Sequence, residues 1–379
     1  MHHIPHFVTR TSYLILIFLL LSSCGRGAST RGDEVTGDTL TTCAQLLTLV
    51  DCGDYTVADV RDPWDTTRLL GRYILVDRDS EVPGSLPEGE VVMVPLENSI
   101  VYSDVHARAI GEVGGIKGVR GVADAGYFKT DEIVSGLADG SVTDIGPAMS
   151  PSIERIVEMN PDAILLSPYQ NAGHGAVGQT GATIIECADY MESTPLGRAE
   201  WIKLLGKLYG GYEKADTIFA STRDRYEALR HKAAAVSTLP KVVTEQLTDG
   251  VWYGPGGCSY MARLLGDAAV IYPWSADTST GSLQLDFATV FDRAHDAEFW
   301  LIRTWGHDLT LAELKSNNSL NAEMDAFNNG GVYAANTAEV PLFEDFPFHP
   351  DRLLREYLAI FHPCIMHGDT TLTYYKKVK

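Results

Sequence analysis

The chain has 379 residues, a formal net charge of −20 at neutral pH and 45% hydrophobic residues. This length suits two or three domains. The excess of acidic side chains repels nucleic acid, so a role in binding DNA or RNA is excluded, and the excess instead indicates a solubilising surface.

The first residues have the pattern of a secretory signal. Arg10 is followed by an apolar run from Tyr13 to Leu21, which is too short to span a membrane. The run ends in "LSSC", the form of a bacterial lipobox. Residues 1–23 are therefore predicted to be a lipoprotein signal peptide, and Cys24 the lipidated first residue of the mature chain. An ordinary signal peptide with an incidental cysteine is the alternative.

A polar, glycine-rich stretch predicts a flexible tether over residues 24–40. The strand-like runs "YTVADV" and "RYILVD" follow. From about residue 90, short apolar strands alternate with helices, as in "VVMVPL", "VYSDVHARAIGEVG", "VRGVAD", "SIERIVEMN" and "PDAILLSPYQ". This alternation predicts a parallel sheet covered on both faces, so residues 41–194 are assigned to an N-terminal α/β lobe.

A helical segment is predicted next, over residues 195–238. Ser193 or Thr194 can cap its first helix, and Pro195 suits the first helical turn. A second run, "YEKADTIFASTRDRYEALRHKAAAV", contains neither proline nor glycine. At 1.5 Å per residue it would reach roughly 35 Å, enough to cross from one domain to another.

The α/β pattern restarts after Pro240, so residues 239–379 are predicted to form a C-terminal α/β lobe. The fold class is thus α/β, with two α/β lobes bridged by a single long interlobe helix. Beyond Cys24 the cysteines are odd in number, widely spread and without CxxC spacing. Cys43 and Cys52 are compatible with a disulfide in an oxidising compartment, and equally with two buried free thiols.

Aromatic residues lie at or just beyond the predicted strand ends. In parallel α/β sheets, ligands bind outside the carboxyl ends of the strands, where aromatic rings can hold a large, flat or partly apolar ligand. Core or rim packing is the alternative for each ring. The predicted ligand-binding residues are Tyr102, Ser103, Tyr127, Tyr169, Tyr190, Glu192, Trp252, Tyr253, Trp274 and Trp305.

No catalytic or metal-binding residue is predicted. "PGGCSY" places Cys258 and Ser259 at the start of a helix, but no nearby histidine supplies a base, so a tight turn beside a ligand cleft is the better interpretation. The histidines His349, His362 and His367 lack the helical i, i+4 spacing of metalloproteases. We therefore expect a protein that is not an enzyme.

Four stretches carry a resemblance to a known family: "ADYMESTPLGRAEWIK", "SIERIVEMNPDAILLSPYQN", "VWYGPGGCS" and "FHPDRLLREYLAIFHP". The chain resembles the iron-chelate and vitamin B12 class of substrate-binding proteins of ABC importers, most closely a lipoprotein branch of the Bacteroidetes type. The resemblance covers roughly residues 45–379. It implies a class III periplasmic-binding-protein fold, in which ligand lies between the lobes and the long helix limits their opening.

The resemblance also implies partners and a location. The protein would be periplasmic, lipid-anchored to a membrane and monomeric, would hold no resident cofactor, and would dock on an ABC permease dimer with its ATPase. Glu154 matches the docking glutamate of the N-terminal lobe. The second docking glutamate is replaced by Ala288, and Asp286 or Asp292 is the candidate substitute. A helix-terminal acid favoured by the helix dipole is the alternative for Glu154.

The implied cargo is a metal chelate, with a ferric siderophore first, a corrinoid second and haem third. An anionic siderophore would need a cation such as Arg198 or Arg303, although Arg198 and Glu200 are more simply expected to brace the lobe crossing. Haem iron would be ligated by Tyr102, Tyr127 or His106.

Two other functions stay open. A metal chelatase or hydrolase on the same scaffold would need a histidine, His174 or His307, beside an acid in the cleft. An adhesion or haem-scavenging module would have no permease partner.

Overall fold

The computed structural model describes residues 35–170 and 172–379. The predicted signal peptide, Cys24 and most of the tether lie outside these residues. The described chain begins with a five-stranded sheet in sequential order, in which the last strand runs parallel to its neighbour and the others are antiparallel. Its strands are β1 (Asp38–Thr39), β2 (Leu47–Asp51), β3 (Tyr55–Arg61), β4 (Leu69–Asp77) and β5 (Glu90–Val94).

A second five-stranded sheet forms the centre of the N-terminal lobe. Its strands are β6 (Ser99–Val101), β7 (Val119–Val122), β8 (Thr143–Asp144), β9 (Ala163–Leu166) and β10 (Ile184–Glu186). All pairs are parallel, in the order β10-β9-β6-β7-β8. The helices between them are α1 (Asp104–Val113), α2 (Asp131–Asp139) and α3 (Ile153–Met159). The short apolar strands are buried because both faces of the sheet are covered, which confirms the predicted parallel arrangement.

Three helices follow, α4 (Pro195–Ala199), α5 (Ile202–Leu208) and α6 (Tyr212–Ala234). Thr194 caps α4 by accepting the Gly197 amide at 3.0 Å, as the Thr-Pro sequence predicted. In α6, Ala215 and Phe219 belong to the apolar core of the N-terminal lobe, whereas Tyr226 and Ala233 belong to that of the C-terminal lobe. The 23-residue helix therefore bridges the two lobes.

The C-terminal lobe contains the remaining strands. They are β11 (Val242–Thr244), β12 (Leu247–Thr248), β13 (Val251–Pro255), β14 (Ser282–Leu285), β15 (Phe299–Thr304), β16 (Val332–Asn336) and β17 (Lys376–Lys377). One sheet has the order β11-β15-β16-β17 and is parallel except for β17. The strands β12, β13 and β14 form a separate antiparallel sheet.

Six helices cover this lobe. They are α7 (Tyr260–Asp267), α8 (Phe287–Ala294), α9 (Leu311–Asn317), α10 (Asp325–Asn328), α11 (Leu342–Asp345) and α12 (Pro350–Phe361). The predicted fold class, two α/β lobes joined by one long helix, is confirmed. Among the described residues, no helix has the length and apolar character needed to cross a membrane. Cys43 and Cys52 are both free thiols, so the possible disulfide is not formed.

Candidate functional site

Loops at the carboxyl edges of the two parallel sheets meet at the junction of the lobes, which we call the cleft. Lys129 lies in the loop that follows β7, and its Nζ atom donates to the carbonyl oxygen of Thr337 at 2.6 Å. Thr337 directly follows β16. The same Nζ lies 3.1 Å from Glu344 Oε1 in α11. The loops after two parallel strands, one from each lobe, therefore meet, and this is the place where ligands bind in parallel α/β sheets.

Exposed aromatic rings follow strands on both sides of this cleft. Tyr127 and Tyr169 of the N-terminal lobe are 68% and 66% exposed, and Trp305 of the C-terminal lobe is 58% exposed. The Nζ atom of Lys129 lies 5.1 Å from the centre of a Trp305 ring. Phe343, at 39% exposure, is a further exposed ring on α11 that sequence analysis missed. A single exposed ring is common on a protein surface, but several exposed rings that follow strand ends at the same junction mark a candidate contact surface for a ligand or partner.

Of three other predicted site residues in the N-terminal lobe, two are hydrogen-bonded within the lobe and one has a buried hydroxyl. Ser103 caps α1 by accepting the amide of Val105. The Tyr190 hydroxyl donates to the carbonyl oxygen of Pro168. The Tyr102 hydroxyl is buried without a hydrogen-bond partner among the described residues. Burial raises the pKa of Tyr102 to about 12, so at neutral pH this phenol is a protonated donor.

Glu192 was expected in the cleft, and that prediction is wrong. Its side chain is 2% exposed. It accepts the amides of Gln45 and Leu46 at 3.0 and 2.9 Å, and the indole N–H of Trp201 at 3.0 Å. These donors tie the start of the described chain to α5. Burial raises the pKa of Glu192 despite the hydrogen bonds. The residue is a structural anchor.

Trp252 and Trp274 were also expected in the cleft, and both lie in the core. Trp252 is 1% exposed, stacks on Trp300 at a ring distance of 5.7 Å and donates its indole N–H to the Thr244 carbonyl at 2.8 Å. Trp274 is 5% exposed. The neighbour of Trp252, Tyr253, is exposed on the opposite face of β13, because successive side chains of a strand alternate. Tyr253 stays a candidate.

The stretch before α5 braces the lobe crossing, as expected for Arg198 and Glu200. Arg198 is buried and pairs with Asp189 at 3.1 Å, and His106 approaches the same carboxylate at 2.9 Å. Burial alone would raise the pKa of Asp189, but the charges of His106 and Arg198 outweigh it and the pKa is lowered. Glu200 accepts the amides of Thr42, Cys43 and Ala44.

This burial removes two residues from the predicted ligand set. Arg198 and His106 are 8% and 3% exposed, so neither can contact an anionic chelate or haem iron as the sequence suggested. Arg303 stays a candidate, because its side chain is 24% exposed. It pairs with Glu245 beyond the end of β11, and its guanidinium lies 5.3 Å from the centre of the Phe343 ring.

Two histidine–carboxylate pairs lie in strand-end loops. His174 Nε2 is 3.0 Å from Glu186 Oε1 in the N-terminal lobe, and His307 Nε2 is 2.9 Å from Glu313 Oε1 in the C-terminal lobe. Burial raises the pKa of Glu186 to about 7. Within residues 35–170 and 172–379, no three His, Cys, Asp or Glu side chains form a group that could hold a metal ion.

The predicted docking acids lie on the surface of their lobes. Glu154 is exposed in the first turn of α3, and the Ser152 hydroxyl donates to its carboxylate at 3.2 Å. Asp286 caps α8 by accepting the Thr289 amide at 2.8 Å, and Ala288 and Asp292 are exposed on the same helix. Docking by these residues stays a prediction.

Two cavities lie apart from the cleft. One of about 630 Å³ lies between α6 and α12. The other lies beside the first sheet. It measures about 560 Å³ and opens between the first sheet and the α5–α6 turn. Asp51 and Lys207 pair within it at 3.1 Å. Four of its lining side chains are acidic and two are basic, so it does not favour an anion. We do not include it in the candidate site.

Comparison with known proteins places this geometry in a family. The sequence profile of the family described as periplasmic binding protein matches residues 117–338, more than half of the chain. An uncharacterized lipoprotein of Methanocaldococcus jannaschii is 26% identical over 322 residues, which is 79% of this chain and 74% of the relative.

Two solved structures show the same fold. The triscatecholate siderophore binding protein FeuA from Bacillus subtilis, complexed with ferri-bacillibactin, matches with a TM-score of 0.56 and 17% identity, over 76% of this chain and 100% of that one. A periplasmic heme binding protein from Pseudomonas aeruginosa matches with a TM-score of 0.53 and 16% identity, over 71% of this chain and 93% of that one.

Proposed function

We propose that this chain, which belongs to the periplasmic binding protein family, is a lipid-anchored substrate-binding protein of an ABC importer. It binds a metal chelate between its lobes and delivers it to a permease dimer driven by an ATPase. The observation that carries the proposal is the set of exposed aromatic rings on both sides of the cleft: Tyr127 and Tyr169 on one lobe, Trp305 and Phe343 on the other.

The chemistry of these walls suits a large ligand with flat or apolar parts. Aromatic rings contribute wide apolar contact at low conformational cost. Arg303 places a guanidinium beside Phe343 and Lys129 an ammonium beside Trp305, and each cation is paired with a carboxylate. A ferric siderophore, a corrinoid and a haem all combine such parts. Two proteins of the same fold bind a ferric siderophore and haem, by their own descriptions.

The proposal also covers the lipid anchor of the protein and its location. Cys24 of the "LSSC" motif is lipidated, and the folded lobes meet the permease on the periplasmic side of the membrane. The relative in Methanocaldococcus jannaschii is itself described as a lipoprotein. The protein acts as a monomer without a resident cofactor, and Glu154 and Asp286 contact the permease.

Equilibrium dialysis tests the proposal. The full chain in a non-ionic detergent is dialysed against a ferric siderophore, cyanocobalamin, cobinamide or haemin, and bound metal per chain is measured. We expect one metal per chain for at least one chelate class. Metal retention below one-tenth per chain for every chelate would refute the function.

A second candidate function, a metal chelatase, is favoured by the His174–Glu186 contact at 3.0 Å. A chelatase would insert a free divalent metal ion into a metal-free macrocycle, using these groups to move protons. Multiple turnovers of metal insertion per chain would favour the enzyme, and stoichiometric binding without turnover would favour the carrier.

A further inference from the structure

His174 lies in the loop between β9 and β10, at the carboxyl edge of the N-terminal sheet. Its side chain is 34% exposed, whereas that of its partner Glu186 is 8% exposed. The two side chains are joined by the 3.0 Å contact between His174 Nε2 and Glu186 Oε1. A ring that reaches solvent thus contacts a buried acid at the end of β10.

The partner acid lacks other stabilisation. The second oxygen of Glu186, Oε2, is buried and has no hydrogen-bond partner among the described residues. A buried carboxylate with one unmet oxygen is costly, and the imidazole of His174 is the one basic group that contacts it among the described residues. In metal sites, a carboxylate that contacts one ring nitrogen of a histidine fixes the ring and makes the other nitrogen a better ligand. The other nitrogen, His174 Nδ1, has no partner within residues 35–170 and 172–379.

His307 forms a matched comparison in the opposite lobe. Its Nε2 contacts Glu313 at 2.9 Å, and its Nδ1 contacts the carbonyl oxygen of Trp305 at 3.3 Å. Both of its ring nitrogens are engaged, so neither presents a free lone pair. Among the other described histidines, His106, His349 and His362 are closed to a ligand by burial, at 3–4% exposure each. His231, His295 and His367 are exposed, but they lie in α6, directly beyond α8 and in the turn after α12 rather than in loops that follow strands.

One histidine nitrogen cannot hold a metal ion alone. Among the described residues there is no cluster of three His, Cys, Asp or Glu side chains that could complete the coordination. A metal bound at His174 must therefore arrive with its own ligands and with one position open. A hexadentate siderophore fills all six coordination positions of its metal. A planar macrocycle fills only the equatorial positions and leaves the axial positions open.

We propose that His174 Nδ1 is an axial ligand to the metal of a planar macrocyclic chelate, with Glu186 as its positioning residue. The proposal rests on the proposed function and narrows its cargo to corrinoids and haems. On binding, a metal–nitrogen bond replaces a metal–water bond and the water leaves. The neutral imidazole gives up no proton, and the metal keeps its oxidation state. The exposed ring of Tyr169, beyond the end of β9, lies on the same edge to contact the macrocycle.

The test uses the full chain with reduced cobinamide, cob(II)inamide, whose cobalt lacks a nitrogen ligand of its own. Electron paramagnetic resonance then shows a three-line splitting only if one protein nitrogen binds cobalt. We expect this splitting in the wild type, and two lines when histidine is labelled with ¹⁵N. His174→Ala should lose it and weaken binding at least about tenfold, and added imidazole should restore the splitting.

Two variants control the experiment. His307→Ala removes a histidine with the same kind of partner and should keep the splitting. Glu186→Gln should keep the splitting but weaken affinity by about tenfold, since the ring is held less firmly. Circular dichroism confirms that each variant is folded. Ferric haemin, followed by its Soret band, provides the same comparison with a second macrocycle.

Three results would overturn the inference. The first is bound cob(II)inamide without nitrogen splitting, and the second is splitting that persists in His174→Ala. The third is tight binding of hexadentate ferric siderophores with no binding of cobinamide or haemin, which would leave the proposed function standing. Absence of binding to every chelate would refute both.

Discussion

Lys129 of the N-terminal lobe donates a hydrogen bond of 2.6 Å to the carbonyl oxygen of Thr337 in the C-terminal lobe. The contact spans the cleft between two strand-end loops. Two further pairs join the lobes beside it, Arg108–Asp345 at 2.8 Å and Glu112–His349 at 2.6 Å. The closed arrangement of the cleft is thus held by polar contacts that can be tested one at a time.

Replacing Lys129 by Met should loosen the closed cleft. The change removes the hydrogen bond to Thr337 and the ion pair with Glu344, one of whose carboxylate oxygens already lacks a partner among the described residues. Amides of the loops at 125–130 and 336–345 should exchange hydrogen about tenfold faster, the result of losing roughly 1.4 kcal/mol of local stability. Lys232→Met, an exposed lysine of α6, is the control. Equal exchange in both variants would show that Lys129 does not hold the cleft.

Substitutions of Trp305 and Trp252 should have different effects, the first on chelate affinity and the second on the free energy of unfolding. Trp305→Ala removes an exposed ring, so chelate affinity should fall on the order of tenfold or more with little change in unfolding. Trp252→Ala removes a buried ring, so the free energy of unfolding should fall by about 3–5 kcal/mol. Chelate titration and urea unfolding measure the two effects. Unchanged affinity in Trp305→Ala would remove that ring from the site.

Glu192→Ala should destabilise the fold without weakening chelate binding in the protein that stays folded. Three N–H donors lose their acceptor, those of Leu46 and Trp201 being buried and that of Gln45 partly exposed. At about 1–3 kcal/mol for each unpaired group, the loss should reach about 3 kcal/mol or more in urea unfolding. Glu81→Ala, an exposed loop acid, should change stability by less than about 0.5 kcal/mol. A tenfold loss of affinity in folded Glu192→Ala would return this residue to the binding site.

Glu186 should make stability depend on pH. Burial raises its pKa to about 7, so the folded protein holds this proton more tightly than the unfolded chain. The folded state therefore loses stability as pH rises from the ordinary carboxyl pKa towards 7, by about 3 kcal/mol near pH 8. Besides His174, the groups around this carboxyl are the neutral side chains of Tyr73, Tyr190 and Cys187.

Glu186→Gln tests this linkage. The variant should match the wild type near pH 4.5 and exceed its stability near pH 8, because a neutral amide replaces a buried charge. Thermal unfolding at both pH values provides the measurement. A stability difference that is the same at the two pH values would show that the Glu186 carboxyl does not titrate in this range.

Glu154→Lys should impair uptake while leaving chelate affinity unchanged. Glu154 is exposed on α3, and the substitution reverses the charge at this position of the predicted permease-facing surface. Transport by cells carrying the permease and ATPase should drop at least about tenfold, since like charges placed across an interface cost several kcal/mol. Glu213 is also an exposed acid in the first turn of a helix, so Glu213→Lys perturbs a helix dipole in the same way. This control variant should transport normally. Normal uptake by Glu154→Lys would exclude this residue from docking.

The fold could be predicted from the sequence because its signals are local. Short apolar strands between helices indicate a parallel sheet, and the run from Tyr212 onward lacks the residues that end helices. The Thr194–Pro195 pair marks the start of α4, because the Thr194 hydroxyl accepts the amide of Gly197, three residues later. Each of these patterns depends on neighbours in the chain.

The site could be predicted only in part, because the burial of the wrongly predicted residues depends on contacts with residues that are distant in sequence. Trp252 and Tyr253 are adjacent, and sequence cannot say which one faces the core until the packing of β13 is known. Glu192 is buried by donors from residues 45 and 46, about 150 positions away. The His174–Glu186 pair is closer in sequence, and an acid at the end of an apolar strand was the signal that could have revealed it.

The proposed function requires that the cleft between the lobes bind one metal chelate. Its most direct test is a tryptophan-fluorescence titration of the full chain and of Trp305→Phe with ferric siderophores, cyanocobalamin, cobinamide and haemin, corrected for inner-filter absorption. We predict saturable one-to-one quenching by one chelate class, with a clearly smaller amplitude in Trp305→Phe. Saturable quenching of equal amplitude in both proteins would place the ligand elsewhere, and no quenching by any chelate would contradict the account.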